Sequence, residues 1–383
     1  MHKILHIITG LGRGGAEAML VKLIGASSRY RHDVLSLTGR GEIGAQLETS
    51  GASVDTLGLD RAAGWLPALP RLRALVRKRR PDLIQGWLNH GNLAALAGKI
   101  LAGTGAPAVW NVRQSLLGMQ FEKWQTRQVI RINARLSRRT AAILYNSAAG
   151  ARDHEAIGYA PDKTVLVPNG FDLDRFRPQP DRRAEIRRSL GIGDDELLIG
   201  LVARFDPWKN HAAFFAAASA ILARAPASRF LLAGDGMVAD NPALRALIRD
   251  PLVLERSLLL GGRSDMPALN AALDIACNVS HGEGFPNAIG EAMASGVPCM
   301  VTAAGDMPAI VGETGVVASS SDPRDIADAV LALIDQGTEG RNLMGRAARE
   351  RIAARFSLPT IVARYEAIYA NLLMEAEHMP AAG

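Results

Sequence analysis

The sequence predicts an α/β chain of two similar doubly wound parallel-sheet halves, and three observations predict it. Short apolar, β-branched runs alternate with helix-length segments, the alternation stalls between Gly170 and Asp181, and it then starts again. In the first half the runs are KILHIIT, DVLSL, DLIQGW, AVWNV, AAILYN and TVLVPN, each followed by a helix-length segment or loop. Parallel strands need such crossovers. The stall, GFDLDRFRPQPD, holds two prolines and no periodicity, so it reads as a linker. After an Arg- and Glu-rich helix, LLIGLVARF, FLLAGDG, SLLLGG, DIACNVS and VPCMVT repeat the pattern. The tail, from about Leu358 to Ala376, is a long amphipathic helical stretch with no strand after it. The expected division is residues 1–175, residues 176–356 and a closing helical segment, 357–383.

At 383 residues the chain exceeds what one hydrophobic core serves, and 48% hydrophobic with 21% charged residues describes an ordered globular protein. Functions that depend on disorder are excluded on that composition. Cys277 and Cys299 each sit in an apolar strand-like run, so they read as small core residues in a reducing compartment. Met1-His2-Lys3 leads directly into the first strand without a signal-like stretch, and no segment reaches about 18 apolar residues. A cytoplasmic protein is expected.

The net charge of +6 hides an asymmetry: residues 1–180 carry 25 Lys and Arg against 13 Asp and Glu, and the remainder 19 against 25. The excess concentrates in RLRALVRKRRP, Arg71 to Pro81, and in Arg127, Arg131, Arg135, Arg138 and Arg139, most of them spaced to lie near one stripe of a helix. Such a half faces something anionic, a membrane surface or a phosphate-bearing acceptor. Nucleic acid is not expected as a partner, because aromatics make up 5% and none interleave with the arginines.

Chemistry concentrates in HGEGFPNAIGEAMASGVP, His281 to Pro298. Pro286 suits the first turn of a helix, which is predicted to start there and to end at Ser295-Gly296. The loop Gly282 to Phe285 then offers amides at a helix N-terminus, where a phosphate oxygen or a sugar hydroxyl is held. Glu283 stands at the mouth of that loop, and Glu291 lies one turn after Asn287 on the same helix face. A second cluster, VARFDPWKN, puts Arg204 and Lys209 between a strand end and the next helix, where open α/β sheets bind ligands. Fixed positive charge there can neutralise a departing diphosphate. The third, ITGLGRGGAEAML, satisfies G-x-G-x-x-G with Gly10, Gly12 and Gly15, but the acid that a dinucleotide site needs at the next strand end is missing from HDVLSLTGR.

The run E-G-F-P-N-x-x-x-E resembles the paired-glutamate motif of the retaining glycosyltransferases of family four, whose fold is GT-B, two Rossmann-like domains facing across a cleft. The resemblance spans nearly the whole chain. It implies that Glu291 binds the donor ribose, that Glu283 lies beside the transferred sugar, and that Gly284, Phe285, Pro286 and Asn287 line the donor sugar and phosphates. Arg204 and Lys209 match the family's diphosphate clamp, and the loop with Gly12, Gly14 and Gly15 resembles the first-domain loop that approaches the donor phosphates. His90, in GWLNHGN, lies where the family often has a histidine near the transferred sugar, and Arg263, in GGRSDMP, where a loop flanks the nucleobase. Asn169 and Gly170 match the interdomain turn. Asn111 and Arg113, after the strand AVWNV, are acceptor-side candidates, and Asp235 in AGDG is read as a helix cap in preference to a member of the base pocket. The first domain would bind the acceptor, the second the nucleotide sugar, and the last helix would cross back to the first.

In such a transfer the acceptor hydroxyl attacks the face from which the diphosphate leaves, so the catalytic set is Arg204, Lys209, Glu283 and His90, with Glu283 positioning rather than forming a covalent bond. The resemblance favours a UDP-sugar donor and a glycan or lipid-linked acceptor, in cell-surface polysaccharide assembly. No cofactor and no metal are expected, since Asp172-Leu173-Asp174 resembles a hinge rather than a cation clamp. The rival readings are a nucleotide-sugar epimerase of the same fold, a silent nucleotide-binding protein and a nicotinamide-dependent dehydrogenase.

Overall fold

A computed structural model describes residues 1–12, 14–59, 65–116, 119 and 123–378. The chain forms two compact units: Met1–Gly170 together with Leu358–Gly383, and Phe171–Ser357. Each is built on one parallel sheet.

Among the described residues of the first unit, seven strands are β1 (Lys3–Ile8), β2 (Arg31–Ser36), β3 (Ser53–Thr56), β4 (Leu83–Trp87), β5 (Ala108–Val112), β6 (Ala142–Tyr145) and β7 (Thr164–Leu166). Their order is β3-β2-β1-β4-β5-β6-β7. The inner strands are buried on both faces, which is why they read as continuous apolar runs. Alternate residues of β1 serve opposite layers: Ile4 and Ile8 join the core under the helices Gly15–Ala26 and Leu358–His378, and Leu5 and Ile7 the core under Leu69–Arg79 and Leu88–Ala102. The strand order reverses between β1 and β4, all strands staying parallel, and this marks the switch point where a ligand crevice opens.

The closing helix, Leu358–His378, is part of this unit's core. Ile361, Val362, Tyr365, Tyr369 and Leu373 recur at helical spacing and are buried against the sheet. Their polar atoms are also used: Tyr365 Oη accepts from Asn111 Nδ2 at 2.9 Å, and the Tyr369 hydroxyl donates to Gln85 Oε1.

The second unit adds β8 (Leu197–Val202), β9 (Ser228–Ala233), β10 (Ser257–Leu259), β11 (Ile275–Asn278), β12 (Cys299–Val301) and β13 (Gly315–Val317), in the order β10-β9-β8-β11-β12-β13. That is a Rossmann-like winding with its switch point between β8 and β11. Cys277 and Cys299 are free and buried on adjacent strands, and burial pushes both thiols up, away from reactivity.

Three sequence expectations change here. Two strands escape the reading by pattern, β3 (SVDT) and β13 (GVV); both are short, half-exposed edge strands without a sustained apolar run. The linker expected at Gly170 to Asp181 is instead packed structure from Phe171 on. Phe171 is fully buried, its amide donates to Phe356 O at 2.9 Å, and Arg349 donates to the carbonyls of Leu173 and Phe176. The Phe171 ring lies so close to Gly290 that a Cβ there would meet it at 2.0 Å, so only glycine fits.

The first core also carries a pH liability. His6 and His32 are buried, and Trp87 Nε1 donates to His6 Nδ1 at 3.1 Å, so that His6 donates from Nε2 to His32 Nδ1 at 2.9 Å. Both rings must therefore be neutral. Burial holds His6 well below the usual imidazole range, with His32 adding to it, and lowers His32 to about 4. The unfolded chain binds these protons first, at about pH 6.5, so stability present above that pH is lost as the pH falls toward 4. For His32 alone the loss is about 3 kcal/mol at pH 4. Urea midpoints measured from pH 7 to pH 4.5 should fall steadily; a flat profile would remove this account.

Candidate active site

In the second unit, the loops after β8 and β11 leave the sheet at its switch point. After β8, Asp206 Oδ1 accepts from the Trp208 amide at 2.9 Å and caps the tight turn Pro207–Lys209, and Asn210 turns the chain in the left-handed region into the helix His211–Arg224. After β11, the His281 amide donates to Trp208 O at 2.8 Å, joining the two loops. Gly305 supports the second loop from beneath: its φ is +57°, and a Cβ would lie 1.9 Å from Glu283 O.

This scaffold brings Lys209 and Glu283 together. Lys209 Nζ donates to Glu283 Oε1 at 2.5 Å, with the two side chains 21% and 11% exposed. The same oxygen accepts from Ser280 Oγ at 2.8 Å and from Asn278 Nδ2 at 3.3 Å. Sequence reasoning missed Asn278 and Ser280; the available signal was two polar residues at the end of the run DIACNVS, just ahead of the Glu283 loop. Arg204 stands apart from this pair, 69% exposed, donating to Asp206 Oδ2 from Nε at 3.1 Å and from Nη2 at 2.9 Å. Burial alone would raise the Asp206 carboxyl, but the Trp208 amide and the Arg204 guanidinium outweigh it and hold it below its ordinary value.

The helix after Glu283 runs Asn287–Ala294, one residue later than the predicted start at Pro286, which is instead its cap residue, and Ser295 closes it. Pro286 lies in extended backbone at ψ 117°, which the chain needs to leave the Phe285 position. Gly284 and Asn287 flank that turn, and Glu291, half-buried, lies one turn beyond Asn287. Phe285 corrects an expectation. Its ring is buried between Phe171 and Phe356, with centroids at 6.1 and 5.4 Å, so it anchors the loop to the core and lines no open surface. Arg263 makes a two-pronged pair with Asp265, at 2.9 and 2.6 Å, that holds the Asp265 carboxyl below its ordinary value. Asp235 caps no helix; Asn241 does, accepting from the amides of Ala243 and Leu244.

In the first unit, the loop after β1 reaches the helix Gly15–Ala26 through exposed Gly12 and Gly14, with Gly14 as its cap residue; Arg13, inside the motif, lies outside the described residues. Gly12 has open space around its missing Cβ. His90 rides on the helix Leu88–Ala102, half-buried and stacked on Trp65 at 6.3 Å, and burial lowers its pKa, so the ring is neutral near pH 7. That helix opens at the switch point on Leu88, whose φ of +62° is strained for a branched side chain. Asn111 is fully buried and cannot reach an acceptor: its amide side chain serves Tyr365. Arg113 is drawn into the same network, donating to Asn111, Tyr365 and Asn169 and lying 5.6 Å over the Trp87 ring. The expectation for Asn111 fails because the closing helix supplies a partner that the strand sequence does not reveal, and the same helix, through Tyr365, holds half-buried Arg113. Among the described residues no group of three His, Cys, Asp or Glu side chains could hold a metal ion.

Known proteins match along most of this length. The family described as "Glycosyl transferases group 1" matches residues 196–336, and "Glycosyl transferase 4-like domain" matches residues 14–170. The UDP-Gal:alpha-D-GlcNAc-diphosphoundecaprenol alpha-1,3-galactosyltransferase of Escherichia coli is 26% identical over 320 residues, 81% of this chain and 80% of that protein. The D-inositol 3-phosphate glycosyltransferase of Geodermatophilus obscurus is 34% identical over 257 residues, 63% of this chain and 54% of its own length. Among solved structures, Anabaena HepE in complex with UDP-glucose superposes with a TM-score of 0.81 at 22% identity, covering 98% of this chain and all of that one, and so shares the fold. With two Rossmann-like units, a basic and acidic pair at the switch point of the second, and family matches across both units, the chain belongs to the group 1, family 4 glycosyltransferases.

Proposed function

We propose that this glycosyltransferase moves a sugar from UDP to a glycan or lipid-linked acceptor, with retention of configuration, in the assembly of cell-surface polysaccharide on the cytoplasmic side of the membrane. The observation that carries the reading is the Lys209–Glu283 pair beside the N-terminus of the helix Asn287–Ala294, at the switch point of the second sheet. A helix N-terminus favours phosphate, and Lys209 and Arg204 supply charge for a departing diphosphate. Glu291 would take the ribose hydroxyls, Arg263 would flank the base, and the backbone of Gly284, Pro286 and Asn287 would meet the phosphates and sugar. Within the first unit, Gly12, Gly14, Gly15 and His90 are the candidates that the family resemblance names. Glu283 would act by position and charge rather than as a covalent catalyst, its carboxylate held by three hydrogen bonds to Oε1, one of them from a cation. In the retaining transfer that the family resemblance implies, the acceptor hydroxyl would attack from the side of the leaving phosphate, which would take its proton.

The donor class follows the UDP and UDP-glucose complexes of HepE, and the acceptor class the diphosphoundecaprenol-linked substrate in the name of the Escherichia coli relative. No metal is proposed, since Lys209 and Arg204 would supply the positive charge for the leaving group. A thermal-shift panel of UDP-, GDP- and ADP-sugars, run in chelator, tests donor and metal together. A UDP-sugar at about 100 times its Kd should stabilise the protein by about 2.7 kcal/mol, several degrees in Tm, with the others silent. Binding of a GDP- or ADP-sugar instead, or a shift that appears only with magnesium or manganese, would overturn the corresponding half.

Membrane contact is proposed through the first unit. Arg71, Arg73, Arg77 and Lys78 are exposed on the helix Leu69–Arg79, and Arg131, Arg135, Arg138 and Arg139 on and after Trp124–Leu136, beside exposed Trp124 and Ile132. Cations with an apolar edge suit an anionic surface. Among the described residues no helix is long and apolar enough to cross a membrane. Anionic vesicles should sediment the protein at low salt and release it at high salt, and neutral vesicles should not; equal retention by both would refute the contact.

A further inference from the structure

All the hydrogen bonds that Glu283 makes among the described residues fall on one oxygen, Oε1, and their donors are of two kinds. Ser280 and Asn278 are neutral, buried and anchored. Ser280 is 1% exposed, its amide donates to Asn278 Oδ1 at 3.0 Å and its carbonyl accepts from Thr302 Oγ1 at 2.8 Å; Asn278, 6% exposed, is the last residue of β11. Lys209 is a cation on a flexible stem, in a turn that also borders the proposed diphosphate position. A nucleoside diphosphate arriving there competes for its ammonium. Were Lys209 the sole donor, its departure would strand a nearly buried carboxylate without a partner, and the side chain would follow the charge.

We propose that Asn278 and Ser280 are positioning residues that hold Glu283 through donor binding, so that Lys209 passes from Glu283 to the leaving diphosphate while Oε2 stays turned toward the transferred sugar. The proposal rests on the donor site described above. It requires the two neutral donors to be redundant with Lys209 in the empty protein and indispensable once Lys209 has moved.

Two measurements test it. In thermal unfolding of Lys209→Met, Ser280→Ala and the double variant, redundancy predicts that the double loses more than the sum of the singles, by about 3 °C or more. Additive losses would overturn it. With UDP by calorimetry and with UDP-glucose, UDP-galactose and UDP-N-acetylglucosamine as donors, Ser280→Ala should keep UDP affinity within about twofold and KM within about threefold while kcat falls about tenfold. Asn278→Ala should show the same split. Loss of UDP affinity together with kcat would make Ser280 merely structural, and an unchanged kcat would end the proposal while leaving the donor site standing. If UDP fails to bind the wild-type protein, the donor site falls and the handover with it.

Discussion

Lys209→Met is expected to lower kcat by about two to three orders of magnitude, about 3–4 kcal/mol of barrier, with little change in fold. The separation of the two effects follows from the geometry. Lys209 is partly exposed and its partner Glu283 keeps two neutral donors, Ser280 and Asn278, so the empty protein loses one of three hydrogen bonds on that oxygen. The reaction loses more, because negative charge accumulates on the diphosphate as its bond to the sugar breaks, and a preoriented cation acts on that charge where water has been displaced. Arg204, 69% exposed and shared with Asp206, is the less preorganised of the two cations and should matter less. UDP release measured with the donor found by thermal shift checks the ordering, with Tm as the control for folding. A Lys209→Met enzyme within threefold of wild type, or one more damaged in Tm than in kcat, would displace Lys209 from the chemistry.

Removal of the closing helix, by ending the chain at Ser357, is expected to leave the first unit unable to fold. Ile361, Val362, Tyr365, Tyr369 and Leu373 are buried side chains, each worth about 1.5–3 kcal/mol. Their sum, roughly 7–15 kcal/mol, matches the whole stability of an ordinary domain. The loss would also strand polar groups, since Asn111, Arg113 and Gln85 all find partners on that helix. Tyr365→Phe isolates this second contribution, at about 1–3 kcal/mol, because it removes the hydroxyl that both Asn111 and Arg113 reach and leaves the ring. Urea unfolding followed by the fluorescence of Trp87 and Trp110, both buried in the first unit, reports it directly. A truncated chain with an unchanged unfolding midpoint would show that the helix is an appendage.

Much of the fold was legible in the residues, for a definite reason. Inner strands of a parallel sheet are covered on both faces, so LHII, LIQGW and LLIGLV are apolar except at His6 and Gln85, which are buried with hydrogen-bond partners. Edge strands are covered on one side only, and SVDT and GVV carried too little of that pattern to stand out. The helix at Asn287 was placed within one residue because proline marks where a helix can begin, but a proline preceding the first turn and one inside it leave the same letters in the sequence. The family showed through the spacing of Glu283 and Glu291 and of Arg204 and Lys209, because a motif is a set of residue types at fixed intervals along the chain.

What a side chain's partners are is another matter. The sequence by itself determined the α/β class, the two windings and the glycosyltransferase family, since periodicity and motif spacing are properties of the chain read in order. Only the tertiary structure decided that Phe285 faces the core, that Asn111 and Arg113 belong to the closing helix, that Arg204 leans on Asp206, and that Ser280 and Asn278 share an oxygen of Glu283 with Lys209. Each of these turns on which residue, often far away along the chain, comes within hydrogen-bond or contact distance once the backbone is folded, and no local pattern carries that information.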